Sequence, residues 1–215
     1  MNDPCNPNMA SHDINDSVHL FVLLDTSASM AGSPIRQLND GMSDLLNEIC
    51  YYADRKEVVP LMHILSYGDE PRWLYGTSAT HGVSAFQISW HDLPTTSGSN
   101  TAAAIEAIIE GLSLQQLGYH SYAPIVVLIS DGHSNDPQRT LAAIQKLKNN
   151  QLHVIRVAVA PEDYNANELQ AFASEGTISL DDELGNLRIS YGKMVLPMVR
   201  IADAAAIISD LAVGS

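Results

Sequence analysis

The chain has 215 residues, 46% of them hydrophobic and 17% charged, which is apolar enough to bury a core and excludes a disordered class. Eleven Lys and Arg stand against 25 Asp and Glu, a formal net charge of -14. That balance argues against nucleic acid and anionic membranes, which need a basic surface, and suits a cation or a partner with a basic face.

Residues 1–17, MNDPCNPNMASHDINDS, are polar and are expected to form a flexible N-terminal tail. They have neither the basic n-region nor the apolar h-region of a signal peptide. No apolar run in the chain is long enough to span a bilayer. Cys5 and Cys50 are the only cysteines, so no disulfide framework is expected and a cytoplasmic setting is the simpler one. From Val18 onward the chain reads as a single domain, 18–215.

Leu20 to Leu24 is unbroken by polar residues, the habit of a strand buried on both faces of a parallel sheet. It stops at Asp25, and Asp25, Ser27 and Ser29 follow at alternate positions in a loop of small residues. Ser33-Pro34 is a helix start, with Ile35, Leu38, Met42, Leu45, Leu46 and Ile49 at helical spacing. Val58 to Leu65 predicts a second strand, in which Pro60 favours an edge or a strand start over a central position. Arg72 to Tyr75 and Val83 to Trp90 give weaker strand signals, the latter through alternation of Phe86, Ile88 and Trp90 with Gln87 and Ser89.

Pro94 to Asn100, PTTSGSN, is a loop rich in hydroxyls. Ile105, Ile108, Ile109 and Leu112 then form a helical stripe, which Gly118 is expected to end. Pro124 introduces a second apolar run, IVVLIS, which also stops at an aspartate, Asp131. Asp136-Pro137 starts a helix containing Leu141, Ile144 and Leu147. Leu152 to Val159 reads as a buried strand, and Asn165 with Glu168 as the capping box of a short helix through Phe172. Thr177 to Leu180 is a last strand, 181–196 a loop or hairpin, and Ile201 to Leu211 a closing helix. Strand and helix alternate with short connections, so the expected fold is α/β: a doubly wound, mostly parallel sheet with helices on both faces and one antiparallel edge strand.

In such a sheet three loops fall on one rim, where ligands bind. They offer Asp25, Ser27 and Ser29, then Ser99 or Thr101, then Asp131. All are oxygen donors, which selects a hard cation: Mg²⁺, with Mn²⁺ or Ca²⁺ as alternatives. Two carboxylates leave a divalent ion with residual positive charge, so the site should seek one more anionic oxygen. His133 is read as an exposed rim residue and His63 as a satisfied core or edge histidine. Trp73, Tyr75 and Trp90 are read as sheet packing or a sticky edge, and Asp69-Glu70 as a turn.

DTSAS, Asp25 to Ser29, matches the DxSxS motif and so resembles von Willebrand factor A domains, which form a metal-ion-dependent adhesion site. The longer stretch LLDTSASMAGSPIRQLNDGM, with SGSNTAAAI and IVVLISDGHSND, is similar to the bacterial branch that includes tellurite-resistance TerY-type proteins. The resemblance implies metal ligands at Asp25, Ser27, Ser29, Ser99 and Asp131, with Thr101 the alternative to Ser99. Ser130 stands where the family often has threonine. The resemblance also implies capture of an Asp or Glu side chain from a partner protein. It further implies a scaffold or regulator role in a stress-response system, where an operon-encoded phosphatase or kinase is a candidate partner.

No catalytic motif competes. GxGxxG does not follow the first strand, and neither GxxxxGK[ST] nor GxSxG occurs. No histidine is placed by motif to activate Ser27 or Ser29. The position two after Asp25, where a phosphotransferase would want a second acid, is Ser27. A binding module, not an enzyme, is the expectation. The alternative is a small Mg²⁺-dependent hydrolase acting on a phosphoester.

Overall fold

The computed structural model describes residues 17–56, 59–77, 82–113, 117, 122–161, 163–174 and 177–179. The expected tail up to Asp16, Gly118, the 181–196 segment and the closing helix lie outside the described residues. Ser17, assigned to the tail by sequence, is instead the buried first residue of a strand.

That strand, β1 (Ser17–Asp25), is buried along its whole length. It is flanked on both sides by parallel partners, β2 (Val59–Tyr67) and β5 (Ile125–Ile129). β3 (Pro71–Tyr75) and β4 (Val83–Ser84) pair antiparallel with the outer side of β2. β6 (Ile155–Ala160) and β7 (Thr177–Ser179) continue the parallel sheet beyond β5. The order is β3-β2-β1-β5-β6-β7, with β4 beside β2, so the mostly parallel sheet forms with antiparallel pairing at one edge. β2 is an interior strand, and Pro60 is tolerated because it is only the second residue, ahead of the antiparallel ladder that begins at Leu61.

Successive strand residues point to opposite faces. Leu20, Val22, Leu24, Val127 and Ile129 therefore bury against α1 (Ser33–Lys56) through Leu38, Met42, Leu45 and Ile49. Phe21, Leu23, Val126 and Leu128 bury against the opposite layer. That layer comprises α2 (Thr101–Ile109), α3 (Pro137–Lys148) and α4 (Ala166–Phe172). Each fully buried Leu or Ile contributes roughly 1.5–3 kcal/mol, so both layers hold β1 in place. No described helix is long and apolar enough to cross a membrane.

Two local expectations are corrected. Val83–Trp90 is a strand only over Val83–Ser84 and then turns through a 3-10 segment, Ala85–Gln87. Phe86, Ile88 and Trp90 still pack half-buried on the α1 side; their alternation reports burial, which irregular chain supplies here without a ladder. The stripe helix stops at Ile109, with Gly111 and Leu112 already in a turn. Leu141 is 49% exposed, whereas Ile144 and Leu147 carry the buried face of α3.

Candidate metal centre

β2 and β5 leave β1 in opposite directions along the sheet, so the carboxyl ends of β1 and β5 flank a topological switch point, the crevice where open α/β sheets take ligands. Asp25 is the last residue of β1 and is wholly buried. Its Oδ1 accepts the Ser27 backbone N–H at 2.9 Å. Its Oδ2 accepts the Ser130 hydroxyl at 2.7 Å, with the Tyr67 and Ser99 hydroxyls at 3.3 and 3.4 Å. Burial pushes the Asp25 carboxyl above its ordinary value, and the charge of Asp131 adds to the rise. The hydrogen bonds from Ser27 and Ser130 oppose it.

The first loop folds tightly after Asp25. A 3-10 turn over Ala28–Met30 begins at Ser27, and Met30, fully buried, pins it to the core. This sets the Ser27 and Ser29 hydroxyls 3.0 Å apart, the former buried and the latter exposed.

The second loop is stitched to the first. Thr96 N–H donates to Thr26 O at 2.5 Å, and the two threonine hydroxyls lie 2.9 Å apart. Asn100 N–H donates to Gly68 O at 2.8 Å, and the Asn100 side chain caps α2 by accepting from Ala103 N–H at 3.2 Å. With Asn100 as the cap, Ser99 faces Asp25. Thr101 becomes the first helical residue and is fully buried. The structure thus brings Ser99, not Thr101, to Asp25.

The third loop places Asp131 two residues beyond β5 and nearly buried, with Oδ1 accepting His133 N–H at 3.1 Å. Asn135 N–H reaches Ser99 O at 2.8 Å and ties this loop to the second. His133 is exposed, its ring nitrogen 3.6 Å from Asp131, an ion pair only when protonated. His63 is a satisfied core histidine, bonded to His19 and to Thr77 O, each at 3.0 Å.

Sequence reasoning missed three residues here. Ser130 was legible only as a substitute for threonine, yet it is the shortest donor to Asp25. Tyr67 pairs with Asp25 in register; burial and the Asp25 charge push its phenol well above its ordinary value, so it remains a neutral donor. Glu168 was expected to close a capping box, but the Asn165 N–H it would need already donates to Asp131 O at 2.7 Å. Asn165 instead caps α4 by accepting from Asn167 N–H, and the Glu168 carboxylate accepts the Ser134 hydroxyl through Oε2 at 2.5 Å. Its burial raises its pKa, with the charges of Asp25 and Asp131 adding and Ser134 opposing. No spacing rule points to that placement.

Among the described residues no three His, Cys, Asp or Glu side chains converge as a metal-binding group. A cation at this rim would therefore be held by two carboxylates with hydroxyls, the oxygen-only chemistry of a hard ion.

The family model of the von Willebrand factor type A domain matches residues 19–187, and the chain belongs to that family. Among solved structures it is similar to the manganese-loaded TRAP protein of Plasmodium vivax, with TM-score 0.61 and 18% identity, over 81% of this chain and 72% of that one. It is also similar to proximal thread matrix protein 1 from the mussel byssus, with TM-score 0.56 and 15% identity, over 85% of this chain. The chain spans about half the length of that mussel protein, 47%. A further structure of the mussel protein carries a zinc-occupied MIDAS motif and matches with TM-score 0.57. These neighbours share the fold; manganese is present in the TRAP structure and zinc in the further mussel structure.

Proposed function

We propose that this von Willebrand factor A domain is a metal-dependent protein-binding module whose cation captures an Asp or Glu side chain of a partner. The observation that carries the reading is Asp25. It is a wholly buried carboxylate at the switch point, contacted by hydroxyls from the end of β2 and from the second and third loops and paired with no basic side chain among the described residues. A buried charge without a counter-charge is costly, and a divalent cation supplies one. Asp25, Ser27, Ser29, Ser99 and Asp131 would hold it. Mg²⁺ is the ion the donor set favours, with Mn²⁺ or Ca²⁺ as alternatives. The bound ion supplies a Lewis-acidic position for an anionic oxygen.

The module is proposed to be non-enzymatic. Ser27 stands where a phosphotransferase would carry its second acid, and its hydroxyl bonds to Ser29 rather than to an imidazole. The finer assignment is to a cytoplasmic scaffold or regulator of a bacterial stress-response system, with an operon-encoded phosphatase or kinase as partner. It is supported by the likeness of the 23–42 and 125–136 stretches to TerY-type proteins.

Titration of Mg²⁺ and Mn²⁺ into chelator-stripped protein tests the site. Binding should be lost in Asp25→Ala and strongly weakened in Ser99→Ala; binding that survives both substitutions refutes the assignment. Turnover of a generic phosphoester by the intact protein would favour a hydrolase instead.

A further inference from the structure

We propose that Glu168 is an outer carboxylate of this metal centre, acting on the hydrated divalent cation through water rather than as a direct ligand. The inference rests on the site reading above and extends it to a residue outside its five ligands.

Three observations lead there. First, Glu168 is fixed against the third loop. Its own N-cap residue, Asn165, donates to Asp131 O at 2.7 Å, and Ser134 of that loop holds its Oε2. The fit is close, since a Cβ at Gly132 would lie 2.7 Å from Asn165 O and 3.1 Å from Leu169 Cγ. Second, Glu168 is only 5% exposed, yet its Oε1 is buried with no hydrogen-bond partner. A buried carboxylate oxygen in that condition asks for a donor or a cation, and a water bound to a metal ion is such a donor. Third, the ion pairs among the described residues are His133–Asp131 and Arg139–Glu106. Neither answers the charge of Glu168, which acts together with Asp25 on the phenol of Tyr67. Glu168 and Asp25 are thus both buried acids that no basic side chain among the described residues pairs with.

Glu168 changes what the ion can do. A third carboxylate nearby lowers the charge the cation presents outward. It should tighten retention of the metal and soften its demand for an external carboxylate.

The experiment compares wild type, Glu168→Gln, Asp25→Ala and Glu106→Gln by Mn²⁺ titration, and by melting in chelator and in Mn²⁺. Gln keeps an oxygen for Ser134 while it removes the charge and turns the second oxygen into an amide donor. Glu168→Gln should bind Mn²⁺ about tenfold more weakly, Asp25→Ala should lose it, and Glu106→Gln, changed at a surface pair, should match wild type. In chelator Glu168→Gln should melt at or above wild type, and in Mn²⁺ below it. Unchanged Mn²⁺ affinity in Glu168→Gln overturns the proposal alone. So does an equal loss of melting temperature in both media, the sign of a purely structural role. A wild type that binds no Mn²⁺ overturns the site reading and this one together.

Discussion

At the scale of single residues, Asp25 decides how the rim behaves. It is buried, so its two oxygens must be satisfied from within, and Ser130 provides the shortest contact, 2.7 Å. Hydrogen bonds to charged groups contribute about 1.5–3 kcal/mol, and partners that orient a metal ligand commonly change affinity 10–100-fold. Ser130→Ala should therefore weaken Mn²⁺ binding by about tenfold although Ser130 is not among the ligands, as calorimetry would show. Both Asp25 and Glu168 titrate above their ordinary values of 3.8 and 4.5, chiefly through burial. A carboxyl whose folded pKa is raised holds its proton more tightly folded than unfolded. Its contribution to stability is then present below the unfolded value and is lost as pH rises through the folded one. Metal-free protein should accordingly lose melting temperature from about pH 4 upward. Glu168→Gln should flatten the slope, whereas Mn²⁺, which needs the ionised carboxylates, should reverse it. A metal-free melting temperature that climbs over that range would contradict the burial argument.

Elements, rather than ligands, fix how well the three loops meet. The second loop has no regular structure of its own, and it is held by the residues just beyond β1 and β2: Thr96 N–H donates to Thr26 O, Asn100 N–H to Gly68 O and the Asn100 side-chain amide to Asp69 O. A Cβ at Gly68 would run into the Thr96 hydroxyl and the Ser97 carbonyl. Gly68→Ala should push that loop away from Asp25 and weaken Mn²⁺ binding without removing any donor; wild-type affinity in this variant would show that the loop adapts. The third loop is anchored by α3, whose N-cap Asp136 accepts Arg139 N–H at 3.0 Å. Asp136→Ala should cost about 1 kcal/mol in urea unfolding. This is also the scale that divides what the sequence shows from what it hides. Asp25 and Asp131 are legible because each interrupts an apolar strand abruptly, and Asp136-Pro137 because a cap followed by proline is a local signal. Ser99 and Thr101 are indistinguishable in sequence, since which of them leaves the helix depends on Asn100 becoming the cap. Glu168 is invisible there because its role depends on α4 docking 37 residues downstream of Asp131. The irregular course of the chain after Ser84 is likewise hidden, because burial and strand pairing produce the same alternation.

The whole molecule sets which carboxylate can reach the rim. A net charge of -14 would surround the proposed cation, whose charge its two carboxylate ligands would offset in large part. At separations up to a Debye length, about 8 Å at physiological salt, an approaching partner would feel the summed field of the protein's charges and not that of the ion alone. An all-acidic segment is repelled on approach even though the metal would accept its oxygen at contact. On the proposed reading the favoured partner would be an Asp or Glu presented among Lys and Arg, so that the basic surroundings are drawn in and the acid completes the coordination. Two peptides of equal length, each with one Glu, should separate these effects in the presence of Mn²⁺. The peptide with basic flanks should associate faster at low salt and slow as salt rises, because screening weakens attraction. The peptide with acidic flanks should start slower and speed up. Stopped-flow measurement of both rates gives the two slopes. If the acidic peptide associates faster at low salt, the overall charge does not govern approach, and selection of the partner must lie entirely in contacts at the three loops.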